Sequence, residues 1–115
     1  MRQPLFRAAL VLCLPLIAGA PAYAAPATKE FVQKVAISDM FEIEAGKLAA
    51  DKAEHAEVKS FGDKMVADHT KTSEELKSIV AENKVEAEIP AELDADHKEK
   101  LDDLKEASDE DFDDT

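Results

Sequence analysis

The stretch from Thr28 to Lys84 constrains the fold most, because it carries two successive apolar stripes at helical spacing. The first is Phe31, Val35, Ser38, Glu42, Ala45 and Ala49; the second is Val58, Gly62, Met65, His69, Thr72, Leu76 and Val80. Residues recurring at i, i+3, i+4 and i+7 share one helix face. The pattern predicts two long amphipathic helices, about 28–54 and 57–83, each roughly 40 Å long at about 1.5 Å per residue. Between them, Lys52-Ala53-Glu54-His55-Ala56-Glu57 offers no glycine, proline or good cap, so local chemistry alone permits one unbroken rod. A rod strands its apolar stripe without a partner. Folding back near His55 instead sets Phe31 against Val80, Val35 against Leu76, Ala45 or Gly46 against Met65, and Ala49 against Gly62. Large residues then meet at the open end, and small ones let the helices close near the turn. The expected fold is all-α, an antiparallel helical hairpin plus a short third helix. The same register sets Glu42 level with His69, a polar pair in an apolar seam.

Met1–Ala24 reads as a secretory signal peptide. Arg2 and Arg7 start it, Ala8–Ala20 is an apolar run interrupted by Pro15, and Ala22-Tyr23-Ala24 is a small-x-small site with cleavage after Ala24. The run is 13 residues, short of the roughly 20 that span a bilayer. Lipid attachment at Cys13 is not expected, since Leu12 is not small and the apolar run continues past it. The remaining 91 residues, Ala25–Thr115, make one small domain with no membrane span. They contain no thiol, hence no disulfide and no cysteine–metal site. They carry 12 basic residues against 26 acids, a formal charge of −14, which repels nucleic acid and anionic membranes. With no tryptophan and only three glycines in the full chain, and no alternating segment after the leader, a β-sandwich or outer-membrane barrel is not expected. The expected location is periplasmic or secreted, including the periphery of the outer membrane.

Thr28 is the expected N-cap of the first helix, with Glu30 in its first turn. Asn83 is the expected left-handed cap of the second, with Lys84 facing its C-terminal dipole. Val85–Ala91 is a linker closed by Ile89-Pro90, and Asp94 caps a third helix over about 94–107, with His97, Leu101 and Leu104 on one face. Ser108 with Asp111 resembles a capping box, so another helix is expected to start there. The acidic run Asp109–Asp114 lacks the sixth-position glycine and closing glutamate of a calcium loop, and reads as a solvated segment.

Phe41-Glu42-Ile43-Glu44-Ala45-Gly46-Lys47-Leu48-Ala49, Val58-Lys59-Ser60-Phe61, Met65-Val66-Ala67-Asp68-His69, Ile89-Pro90 and Phe112-Asp113 resemble a bacterial secreted family. That family is catalogued as domain of unknown function 4142 and often labelled "predicted outer membrane protein". The resemblance covers Phe31 to Asp113, and Met-x-x-Asp-His is its most specific element. It implies a ferritin-like helical bundle exported to the periplasm, without an established activity. Members continue past Phe-Asp with a tyrosine and two more helical stretches, the last bearing another histidine, and commonly have glycine where this chain has Asp109. Ending at Asp114-Thr115, the chain therefore resembles the first half of a ferritin-like four-helix bundle, apparently truncated. Such a hairpin buries one face per helix, whereas a four-helix bundle closes its core on all sides. Ordering costs about 1–2 kcal/mol per residue against roughly 25 cal/mol per Å² of apolar burial. The chain alone is thus expected to be partly unfolded, to pair with a second copy as a homodimer, or to bind another helical envelope protein.

The functional reading of the polar pair makes Glu42 and His69, with Asp68 and Glu44 nearby, half of a site for a divalent metal or iron. Ferritin-like di-iron centres use Glu-x-x-His, but the residue three before His69 is Val66. Asp68 also lies about 100° round the helix from His69. The structural reading is a buried Glu42–His69 pair that fixes helix register. His55 and His97 read as edge residues. There is no serine–histidine–acid set, phosphate loop or Cys–His pair, and Glu42 and Glu44 point to different faces, so no enzymatic activity is expected.

Overall fold

The computed structural model describes residues 26–115, so the leader reading of Met1–Ala24, Cys13 included, lies outside the described residues. Within them the regular structure is helical: α1 (Pro26–Lys52), α2 (Ala56–Glu82), α3 (Ala95–Glu106) and one 3-10 turn, Phe112–Asp114. The two long helices pack against each other, and α3 and the 3-10 turn pack on α1. No helix among the described residues is long and apolar enough to cross a membrane. The architecture is the expected hairpin with a short third helix.

The seam of α1 is Val32, Ala36, Asp39, Gly46 and Ala53. Val32, Asp39, Gly46 and Ala53 recur every seven residues, the period of a packed helix–helix seam. The expected contacts near the turn form, Ala49 against Gly62 and Gly46 beside Met65. The rest of the stripe read from the sequence, from Phe31, runs one residue earlier than the buried row and so lies about 100° away; Phe31 itself is 62% exposed. The cause is glycine. A Cβ added to Gly62 would stand 2.6 Å from the Gly46 carbonyl oxygen, and one added to Gly46 would stand 2.8 Å from that of Gly62. The backbones therefore touch there, and α1 turns so that Gly46 faces Gly62. The phase of α2 is close to the one expected: Gly62 is buried and Met65, His69, Leu76 and Val80 are half-buried, with Ser73 rather than Thr72 turned inward.

The reversal spans Ala53–His55, and its cap comes from far along the chain. His55, the N-cap of α2, is extended and makes no side-chain cap bond to that helix. Instead the Asp113 carboxylate accepts from the backbone N–H of Glu54 at 3.3 Å and of His55 at 2.9 Å, and also binds His55 Nδ1. Lys52 Nζ donates to the carbonyls of Lys105, at 2.8 Å, and Ala107 at the end of α3. These are acceptors that the helix itself leaves unpaired. The same ammonium lies 5.7 Å from the centroid of the buried Phe112 ring. Residues 105–113 thus close the turn. Asp109–Asp114 is not simply a solvated run, while His55 is the exposed edge residue expected and is tied to that run by Asp113. The Ser108–Asp111 pair does form, with Ser108 Oγ donating to Asp111 Oδ2 at 2.7 Å and accepting from its N–H at 3.2 Å. It opens only the 3-10 turn.

The bond to Asp113 raises the His55 imidazole above its ordinary 6.5, and the same bond holds the Asp113 carboxyl below its ordinary 3.8. A raised histidine stabilises fully below its unfolded value, and that contribution is lost as pH rises through the folded one; a lowered carboxyl stabilises above its unfolded value and loses the contribution on acidification. The latch is therefore strongest between about pH 4 and pH 6.5. Thermal melts from about pH 6 to about pH 8 are expected to show the wild type losing its advantage over His55→Gln. A constant difference between the two would contradict the pairing.

Thr28 lies inside α1 rather than capping it. At the end of α2, Asn83 has φ −90°, and the left-handed residue is Lys84 at φ 50°. Lys84 N–H donates to the Ala81 carbonyl at 3.3 Å and Val85 N–H to that of Val80 at 3.0 Å. This is the paired-bond helix stop that favours glycine at its left-handed position. Lys84→Gly is expected to raise stability by about 1 kcal/mol, read as a higher urea midpoint at unchanged slope. At the start of α3, Asp94 accepts from His97 N–H at 2.9 Å and binds its Nδ1 at 2.7 Å, while the His97 ring meets Phe41 edge-on at 5.4 Å. With Leu101 buried, this seats α3 on α1.

Candidate functional site

Midway along the seam, His69 Nδ1 lies 2.8 Å from Asp39 Oδ1, with side chains 26% and 3% exposed. The partner of His69 is therefore Asp39, not Glu42. The one-residue rotation of α1 that brings Gly46 to Gly62 also carries Asp39 inward and moves Glu42 to the flank. The other carboxylate oxygen of Asp39, Oδ2, is buried without a hydrogen-bond partner among the described residues. An acid–imidazole pair in an apolar seam fixes the height at which two helices meet, because sliding would leave both groups unsatisfied.

The other nominated residues lie apart from this pair. Glu42 is half-buried. Asp68 is exposed and ion-paired with Lys64 one turn away, a bond that holds its carboxyl below the ordinary 3.8. Glu44 pairs with Lys47 at 2.7 Å on the outer surface. Glu42, Asp68 and His69 are thus not gathered into a ligand set. Among the described residues no three His, Cys, Asp or Glu side chains converge to hold a metal ion. Asp39 is the residue that sequence reasoning missed, although its sevenfold spacing from Val32, Gly46 and Ala53 was a usable signal.

Beside the seam, on the flank that carries Glu42, runs a groove. Ala45, Ala49 and Gly62 line it, Leu104 and Phe112 close one side, and Phe61 stands at the rim, 61% exposed. Stepping by three and four residues from Ala45 back to Phe31, and from Phe61 on to Ile79, stays on this same face. Both end points are exposed, at 62% and 55%. The groove holds about 230 Å³, below the roughly 300–1,000 Å³ of small-molecule sites. Its size suits an inserted side chain.

A family model described as "Domain of unknown function (DUF4142)" matches residues 15–115. No curated protein and no solved structure matches the chain. The match takes in both long helices, the Asp39–His69 seam, the groove and the closing segment, and the chain belongs to the DUF4142 family.

Proposed function

We propose that this protein is a structural, protein-interaction module of the cell envelope, exported by its leader and working through the groove face. One observation carries the reading. The exposed large apolar side chains Phe31, Phe61 and Ile79 all fall on the face that holds the groove. Exposed large apolar side chains brought to one face offer a surface for interaction, and they are out of character on a chain whose formal charge is −12. The leader Met1–Ala24 supports a periplasmic or secreted location, and the acidic balance disfavours nucleic acid as a partner.

A photo-crosslinking residue at position 45, in the groove, tests the interaction reading against the same residue at position 34 on the outer surface. In the producing cell, position 45 is expected to give discrete adducts and position 34 none. Equal labelling at both would overturn the reading. N-terminal sequencing of the exported chain is expected to begin at Ala25. A second reading, a metal-binding envelope protein, draws on the partnerless Asp39 Oδ2 beside His69 and requires further ligands from a partner. Metal that co-purifies with the wild type and is lost in His69→Ala would favour it.

A further inference from the structure

We propose that the groove receives a cationic amphipathic helix, which seats an apolar anchor between Phe61 and Phe112 and pairs a lysine or arginine with Glu42. This rests on the interaction-module reading and adds the chemistry of the partner. The floor is shallow because the α1 and α2 backbones touch at Gly46 and Gly62. A shallow slot between two helices suits the ridge of a third helix.

Charge then selects which helix. Glu42 is the one charged residue lining the groove, is half-buried, and makes no hydrogen bond or ion pair among the described residues. Asp68, on the same face, is already neutralised by Lys64. Glu42 lies three and four residues from Ala45 and Gly46, one helical turn from the slot. A helix laid along the slot therefore meets the carboxylate about one turn from its anchor. A half-buried carboxylate without a partner favours a cation there, and like charge is penalised. A second copy of this chain fits poorly: face to face, it would bring its own Glu42 and Asp68 to the same region and its own formal charge of −12.

Two synthetic helical peptides with the same leucine and phenylalanine anchors test this, one carrying lysine and the other glutamate a turn from the anchor. Titrated into the full chain, the lysine peptide is expected to bind about tenfold tighter, by a margin that shrinks with salt. Glu42→Lys should reverse the order. Ala45→Trp, which fills the slot, and Phe61→Ser, a change at an exposed rim position, should weaken both peptides alike. If the order is unchanged by Glu42→Lys while Ala45→Trp and Phe61→Ser still weaken binding, the cationic partner is overturned and the interaction reading stands. If neither groove change affects binding, or neither peptide binds, both fall. A stable dimer in sedimentation that excludes both peptides would replace the cationic helix with a second copy.

Discussion

Gly62→Ala is expected to destabilise the hairpin by about 2–3 kcal/mol, the cost of overpacking a site that cannot give way. An alanine Cβ there would lie 2.6 Å from the Gly46 carbonyl oxygen, 2.9 Å from Ala49 Cβ and 2.9 Å from the Ala50 nitrogen. Two of those atoms are backbone, so relief requires the helices to separate rather than a side chain to turn. Gly46→Ala should behave similarly, with the Gly62 oxygen at 2.8 Å and Val66 Cγ2 at 3.1 Å. The sign is diagnostic. In a helix that makes no close contact, the same change should stabilise by about 1 kcal/mol through propensity. Urea unfolding of the two variants decides between a touching pair of backbones and two loosely apposed helices.

The Asp39–His69 pair gives the other large effect. His69→Leu leaves Asp39, 2% exposed, without its partner, and a buried group stranded in this way costs about 3–5 kcal/mol. The neighbouring exposure of His69 puts the expectation near the low end, about 3 kcal/mol. The double variant Asp39→Leu/His69→Leu should recover most of that loss, because an apolar pair leaves no unmet hydrogen bond. Glu42→Leu, by contrast, should change stability by less than about 1 kcal/mol. A cycle in which Glu42 rather than Asp39 couples to His69 would restore the register read from the sequence and remove the one found in the fold.

The contrast between those two registers shows what was legible. The extents of α1 and α2 follow from their long apolar periodicity, and the phase of α2 follows with them. The phase of α1 did not, for a physical reason: this helix has two adjacent apolar rows. One row, Val32 to Ala53, enters the seam; of the other, Glu42, Ala45 and Ala49 line the groove, Ala49 also touching Gly62, and Phe31 is exposed. Periodicity identifies the broad apolar arc but not which part of it meets the partner helix, and only the contact between Gly46 and Gly62 makes that choice. The broad arc is itself informative, since a helix with one interface needs one row. The Glu42–His69 reading failed through the same single-residue rotation, which replaced Glu42 with Asp39.

The turn was illegible for a different reason. Its cap, Asp113, lies 58 residues from His55, and no local pattern around Lys52–Glu57 can announce it. The start of α3 was legible because its cap is local, Asp94 to His97. The end of α2 was displaced by one residue, since Lys84 occupies the left-handed position although asparagine tolerates it better. Long-range caps and side-by-side apolar rows are the two features that separate this fold from its sequence pattern, and both converge on the face carrying the groove.

Spin labels at positions 34 and 75, on the outer surfaces of α1 and α2, measure the doubling-back on which seam, groove and latch all depend. Helix axes about 8–10 Å apart predict labels within about 30 Å of each other once their arms are included. A separation near 60 Å, the length of one continuous helix between those positions at about 1.5 Å per residue, would contradict the fold and every site derived from it.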